Sequence, residues 1–349
     1  MRNILLAALG LCLLALPASS QVGGFGGPPA PRIDITTQRP AVAAAPAPTR
    51  ADVPVARIDD LGKAMELKSN VWLPAGAISG SRGAPTPLLL YIHGKGGSYK
   101  VTGDRVARMV IGLTGKGFAV ATIDYRPSGR MPAMLMDTKA YIRFFRAHAA
   151  DYNIDPKRVA IWGVSRGGNL AAMLAVSGDV AALEGDIGGN TGQSSRLDAA
   201  VIESPLTDMF VNTDAKAASI FNDYLGTNDA ESLAVVKAYR AHDTAGPAWP
   251  LVEKIQQTNP LTYIAKDSPP ALLVCAGGDT GNVIANCTAM FDKYIEKGAD
   301  AQYYAWAQGA HVQVGPNIED AAVAWLMDKL KLKAAVGAGV ARLAARPGD

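Results

Sequence analysis

From Thr86 onward the chain alternates short apolar runs with stretches of helical period. The runs are "TPLLLYI" (86–92), "GFAVATIDY" (117–125), "RVAIWGV" (158–164), "LDAAVIESP" (197–205), "PPALLVCAGG" (269–278) and "AQYYAWAQG" (301–309), and each gives way to Gly, Pro or polar residues. Helical spacing fills the gaps near 135–152 and from Ser165 onward. A last helix is expected to start with Asn317 as N-cap and to bury Ala322, Trp325, Leu326 and Leu330. Strands that are apolar on both faces and alternate with helices predict an α/β domain with a mostly parallel central sheet and helices on both faces. The stretch between Pro205 and Pro270 is too long for a simple crossover and carries helical pieces near 213–225 and 230–241. It reads as a cap insertion, about 206–268.

The pattern is different before the sheet begins. Met1-Arg2-Asn3 precedes "ILLAALGLCLLALP" and the small residues "ASSQ", which predicts a cleaved signal peptide over residues 1–20 and an exported protein, periplasmic or secreted. A retained membrane anchor is disfavoured because the apolar run falls short of the roughly 20 residues that span a bilayer. Acylation of Cys12 is disfavoured because more leucines follow it. Residues 21–54 are rich in Gly, Ala and Pro without apolar periodicity and read as a flexible tether. The folded domain is then expected over 55–333, with a flexible tail over 334–349.

The chain has 349 residues, 49% of them hydrophobic, enough for one large core. Its net charge of +3 comes from scattered Lys and Arg, which argues against nucleic acid or a polybasic membrane patch. Of its three cysteines, Cys275 and Cys287 remain after signal removal. In an oxidising compartment they form a disulfide, or they are two small buried hydrophobes.

The strongest chemical signal is "RVAIWGVSRGGNLAAMLA", in which Ser165 stands between Gly163 and Gly167 at the joint of a strand and a helix. A turn that sharp has no room for side chains beside the nucleophile, so glycine is required, and the serine hydroxyl is pushed clear of the surface. A serine needs a base, and the base needs an orienting acid. Of four histidines, His148 lies in a helical pattern and His242 in the cap, both read as surface residues. His311 follows the last strand and is the candidate base. Asp279, just past the preceding strand, is the candidate acid, with Asp208 as runner-up, and the order Ser, Asp, His is that of the α/β hydrolases. The turn "HGKGG" after the strand 86–92 offers backbone N–H groups of Lys95 and Gly96 as oxyanion donors, with that of Arg166 as a third. His93 is read as bracing that loop.

These segments, with "IDYRPS", "MLMDTKAYIRFFRAHAADYNIDPKR", "ALEGDIGGNTGQSSRLDAAVIESPLTDM" and "NPLTYI", resemble in order and spacing the carboxylesterases related to acetylxylan and feruloyl esterases and to hormone-sensitive lipase. The resemblance covers residues 85 to about 330. It implies an α/β-hydrolase fold, a Ser165–His311–Asp279 triad, oxyanion donors at Lys95, Gly96 and Arg166, and acyl esters of carbohydrates, hydroxycinnamates or small alcohols as substrates. The chain departs from the family pattern at Lys95, where a glycine is usual, at Gly97, where an aromatic is usual, and at Arg166, where an alanine is usual. Arg166 is expected either to favour carboxylate-bearing substrates, as the S-R of glucuronoyl esterases suggests, or to pair with an acidic cap residue. A prolyl-oligopeptidase-like peptidase shares the triad order, but the tether has no room for the propeller usual there. The loop 183–190 offers Glu184 and Asp186 to a calcium ion, although such pairs are usually solvated. No HExxH, paired CxxC or dinucleotide fingerprint is present, so neither cofactor nor catalytic metal is expected.

Overall fold

Eight strands, among the described residues, form one sheet in the order β1-β2-β4-β3-β5-β6-β7-β8. The computed structural model describes residues 44–332 apart from 76–82, 102, 179, 209, 211–213, 280 and 307–308. The strands are β1 (Arg50–Asp60), β2 (Lys63–Trp72), β3 (Thr86–Ile92), β4 (Ala119–Ile123), β5 (Ile154–Val164), β6 (Ala199–Glu203), β7 (Ala271–Ala276) and β8 (Ala301–Trp306). The β1–β2 and β2–β4 pairs are antiparallel and every later pair is parallel.

The apolar strands are buried on both faces because successive side chains alternate across the sheet. In β3, Leu88, Leu90 and Ile92 enter one core while Leu89 and Tyr91 enter the other. The second core is covered by α1 (Arg105–Ile111) and α9 (Pro316–Lys329), through Val106, Val110, Trp325 and Leu326. The first core is covered by α2 (Ala133–Ala147), α4 (Arg166–Val176) and α8 (Gly281–Glu296). Its cap side is supplied by α5 (Asp214–Leu225), α6 (Asp229–Ala241) and α7 (Trp249–Gln256). Phe221, Val235, Val236, Val252 and Ile255 belong to that core, so the cap is continuous with the sheet's packing. A capping box of Asn228 and Glu231 starts α6 and satisfies two orphan N–H groups.

Several expectations are corrected. The boundary at residue 54 falls inside β1, and Trp72 donates its indole N–H to Pro46 O, so the described end of the tether lies on the sheet. Pro54 is tolerated there because β1 is an edge strand. The single helix expected over 135–152 breaks at His148, with α3 (Ala149–Tyr152) following. The last helix is capped by Gly315 rather than Asn317, with Pro316 in the first turn where its missing N–H costs nothing. The cap holds a third helix, α7, beyond the two expected. Residues 1–20 and 334–349, with Cys12, lie outside the described residues.

Candidate active site

Ser165 lies between the end of β5 and the start of α4 with φ 55° and ψ −117°, a conformation that L-residues seldom adopt. The surrounding backbone leaves it little choice. Its N–H donates to Glu203 O at 3.0 Å, and its carbonyl accepts from Asn169 N at 3.0 Å. A Cβ at Gly163 would strike the carbonyl of Gly167, and one at Gly167 would lie 2.6 Å from His93 O, so both flanking glycines are needed for close approach. Gly168, not singled out in the sequence, has the same constraint against Glu203 O.

His311, in the loop between β8 and α9, places Nε2 2.8 Å from Ser165 Oγ. Its Nδ1 lies 2.8 Å and 3.0 Å from the two carboxylate oxygens of Asp279, which follows β7. The Asp279 side chain is 1% exposed and that of His311 47%, so the carboxylate is shielded while the imidazole reaches the cavity. The arrangement fixes the tautomer: Nδ1–H donates to Asp279, and Nε2 accepts from the serine hydroxyl. The three residues nominated from the sequence thus come together. Asp208 does not join them; its carboxylate accepts from Phe210 N at 3.0 Å. His148 is half-buried and His242 exposed; both are remote from Ser165 in their hydrogen bonding and contact Asp151 and Tyr239 O.

The loop after β3 passes close to the serine, since a Cβ at Gly94 would lie 3.4 Å from Ser165 Cβ. Gly97 N closes its turn by donating to Gly94 O at 3.1 Å. His93 braces it from beneath: its ring stacks on Tyr125 at 4.7 Å, and its Nδ1 contacts Gly94 O at 2.8 Å. The Tyr125 hydroxyl donates toward His93 O and Gly94 O, and burial raises this phenol so that it stays a neutral donor. Lys95 and Arg166 border the Ser165 cavity, whereas Gly96 borders a second, neighbouring cavity. Arg166 opens α4, so its N–H has no partner within the helix.

The side chains of Lys95 and Arg166 converge on one carboxylate that sequence reasoning missed. Asp223, on α5, accepts from Lys95 Nζ at 2.7 Å and from the Arg166 guanidinium. Burial works to raise the Asp223 carboxyl, but the bonds from Lys95 and Arg166 outweigh it and hold the group below the ordinary carboxylate range. Of the two expectations for Arg166, the cap pairing is the one observed. Next to it Asn169 donates to the Tyr224 hydroxyl at 3.0 Å, and burial holds that phenol neutral. The cavity, about 320 Å³, is walled by these polar groups and by Leu206, Ile220 and Val283.

Glu184 does not behave as a calcium ligand. Its carboxylate takes Lys139 Nζ at 2.6 Å, Arg143 Nη1 at 3.2 Å and Ser195 Oγ at 2.5 Å. Those cations leave no anionic surplus for a metal, and among the described residues no group of three metal-ligating side chains occurs. Cys275, in β7, and Cys287, in α8, are joined as a disulfide.

A parallel sheet with an antiparallel edge, a serine on a strained strand-to-helix turn and an imidazole between that serine and a buried carboxylate define an α/β hydrolase. A family model described as BD-FAE matches residues 77–291, more than half of the chain, and the protein belongs to that family. Carboxylesterase NlhH of Mycobacterium tuberculosis is 38% identical over 93 residues, covering 26% of this chain and 28% of NlhH, so the chain matches under a third of that relative's length. Among solved structures, a truncated form of a carbohydrate esterase from gut microbiota superposes with a TM-score of 0.63 at 21% identity, covering 82% of this chain and 100% of that one. An acetyl ester-xyloside bifunctional hydrolase from Caldicellulosiruptor lactoaceticus gives a TM-score of 0.59 at 17% identity, covering 82% and 96%. At these identities the structural likeness is one of fold.

Proposed function

We propose that this protein is an exported serine carboxylesterase that hydrolyses short acyl esters, acetyl or feruloyl esters of carbohydrates among them, through an acyl-enzyme. The observation that carries the reading is the unbroken hydrogen-bonded series Asp279–His311–Ser165 opening on one cavity. His311 Nε2 takes the serine proton as Oγ attacks the ester carbonyl, and Asp279 stabilises the imidazolium that forms. The N–H groups of Arg166 and Lys95, which border the Ser165 cavity, are the donors for the oxyanion; negative charge there is further favoured by the N-terminus of α4. His311 returns the proton to the departing alkoxide, then activates water to release the acid. Nothing in this sequence calls for a cofactor or metal.

The substrate direction is supported by the wall of the cavity. Leu206, Ile220 and Val283 suit a small acyl group beside Ser165. Because Arg166 is bound to Asp223, it offers less to a uronate than a free arginine would. Export rests on residues 1–20, and the disulfide is consistent with it.

The test is hydrolysis by residues 21–349 and by the Ser165→Ala variant of acetyl, butyryl and octanoyl nitrophenyl esters, methyl ferulate, acetylated xylan, a glucuronoyl ester and a peptide anilide. Serine-dependent turnover of short acyl esters is expected. Cleavage of the anilide alone would move the reading to a peptidase, and turnover indifferent to Ser165→Ala would remove the mechanism.

A further inference from the structure

Two cavities flank the loop after β3. One is the Ser165 cavity, and a second of about 360 Å³ is bordered by Met65, Gly97, Ser98, Asp124 and Pro127. Lys95 and Arg166 border both, so their shared ion cluster with Asp223 stands between the cavities. We propose that the second cavity is a subsite for the sugar ring of the leaving alcohol, with the ester's acyl group held in the first. This inference rests on the ester-hydrolase reading above.

Three features support it. First, the partition is made of side chains, and the Lys95 member is 63% exposed; an exposed lysine pair contributes little and can swing aside. Second, the lining has the mixed character a pyranose needs. Met65 and Pro127 present apolar surface to C–H faces, while Ser98 and Asp124 can bond hydroxyls. Among the described residues, the bonds from Tyr125 N at 3.0 Å and His93 Nε2 at 3.3 Å both reach Oδ1 of Asp124, which leaves Oδ2 as an acceptor for a ligand hydroxyl. Third, the cavity is kept open by Gly97, where a Cβ would come within 2.7 Å of the His93 ring, so a side chain cannot fill the space without displacing the brace. A volume near 360 Å³ falls in the range of small-ligand pockets, about 300–1,000 Å³.

The experiment fills the cavity from residues outside the catalytic machinery. Met65→Trp and Ser98→Trp are each assayed on an acetylated xylo-oligosaccharide and on 4-nitrophenyl acetate, whose flat alcohol needs no sugar site. The expected result is a loss of about tenfold or more in kcat/KM for the sugar ester, carried by KM, with 4-nitrophenyl acetate changed by less than about twofold. An unchanged sugar ester in a folded variant, or an equal loss on both substrates, would overturn the subsite. If either tryptophan prevents folding, inhibition of acetylated xylo-oligosaccharide turnover in the unmodified protein by methyl β-xyloside replaces it. Inhibition beyond that given by equimolar propanol supports the subsite, and none overturns it. A protein that cleaves 4-nitrophenyl acetate but no sugar ester refutes only this inference. A protein without Ser165-dependent turnover of any ester refutes the reading beneath it.

Discussion

Ser165 holds a backbone conformation that costs of order 1–3 kcal/mol, and its neighbours enforce it through Glu203 O and the glycines beside it. Glycine adopts positive φ without that cost, so Ser165→Gly should abolish turnover and yet raise the melting temperature, by the equivalent of about 1 kcal/mol. Differential scanning calorimetry checks the second half, and a lowered melting point would show that the turn is not strained. Behind the same turn, Glu203 is fully buried, with Trp162 Nε1 donating to it at 3.0 Å. Burial pushes its carboxyl from the ordinary 4.5 up to about 7. The folded state therefore holds this proton more tightly than the unfolded chain does. Its contribution to stability is complete below pH ~4.5 and is lost as pH rises towards 7. Glu203→Gln should flatten that slope, whose size is on the order of 3 kcal/mol, in urea unfolding measured across this window. An identical slope in the variant would place the proton elsewhere.

The elbow is an agreement among three elements: β5 delivers Ser165, β3 and the first residue after it supply the carbonyls of Ile92 and His93 that meet Gly167, and β6 supplies the carbonyl of Glu203 that meets Gly168. Gly167→Ala should therefore separate α4 from β3, destabilising the fold by about 2–4 kcal/mol and removing most turnover, as thermal unfolding and nitrophenyl ester assays would register. This much was legible in the sequence because the constraint is local: a glycine on each side of a serine at the end of an apolar run. The hydrogen-bonded partners of Ser165 were legible too, since Asp279 and His311 each lie in the loop after a strand whose apolar run is unmistakable. The β1–β2 hairpin was not. Its outer strand alternates exposed charge with modest apolar residues, and Pro54 and the alanines before it imitate a linker. Asp223 was invisible for another reason: it meets Lys95 and Arg166 across 128 and 57 positions, a pairing that no local pattern encodes. The two cations hold its carboxyl low, so the link persists through mildly acidic pH and is lost only as pH falls through that lowered value. Asp223→Asn should raise KM more than it lowers kcat, because it frees α5 from the loop after β3 without touching the triad.

The disulfide connects the catalytic loop to the export reading. Cys275 sits in β7, four positions before Asp279, and Cys287 lies in the helix that follows that loop, so the bridge closes over the acid of the triad. Closing a loop of this size, with a separation of 12, restricts the unfolded chain by about 3 kcal/mol in the chain-entropy description, the order of magnitude by which one bridge can decide whether a domain survives outside the cell. Both cysteines are fully buried, and a persistent disulfide agrees with the proposed export to a compartment that oxidises thiols. The full-length chain expressed with its own first residues should accordingly yield a periplasmic protein whose mass corresponds to loss of residues 1 to about 20 and of two hydrogens. The double variant Cys275→Ala/Cys287→Ala should unfold at lower temperature and, because Asp279 then loses part of its anchorage, lose more kcat than KM on short acyl esters. If its melting point and kcat matched the parent's, the two cysteines would be packing residues only, and the disulfide would no longer support export.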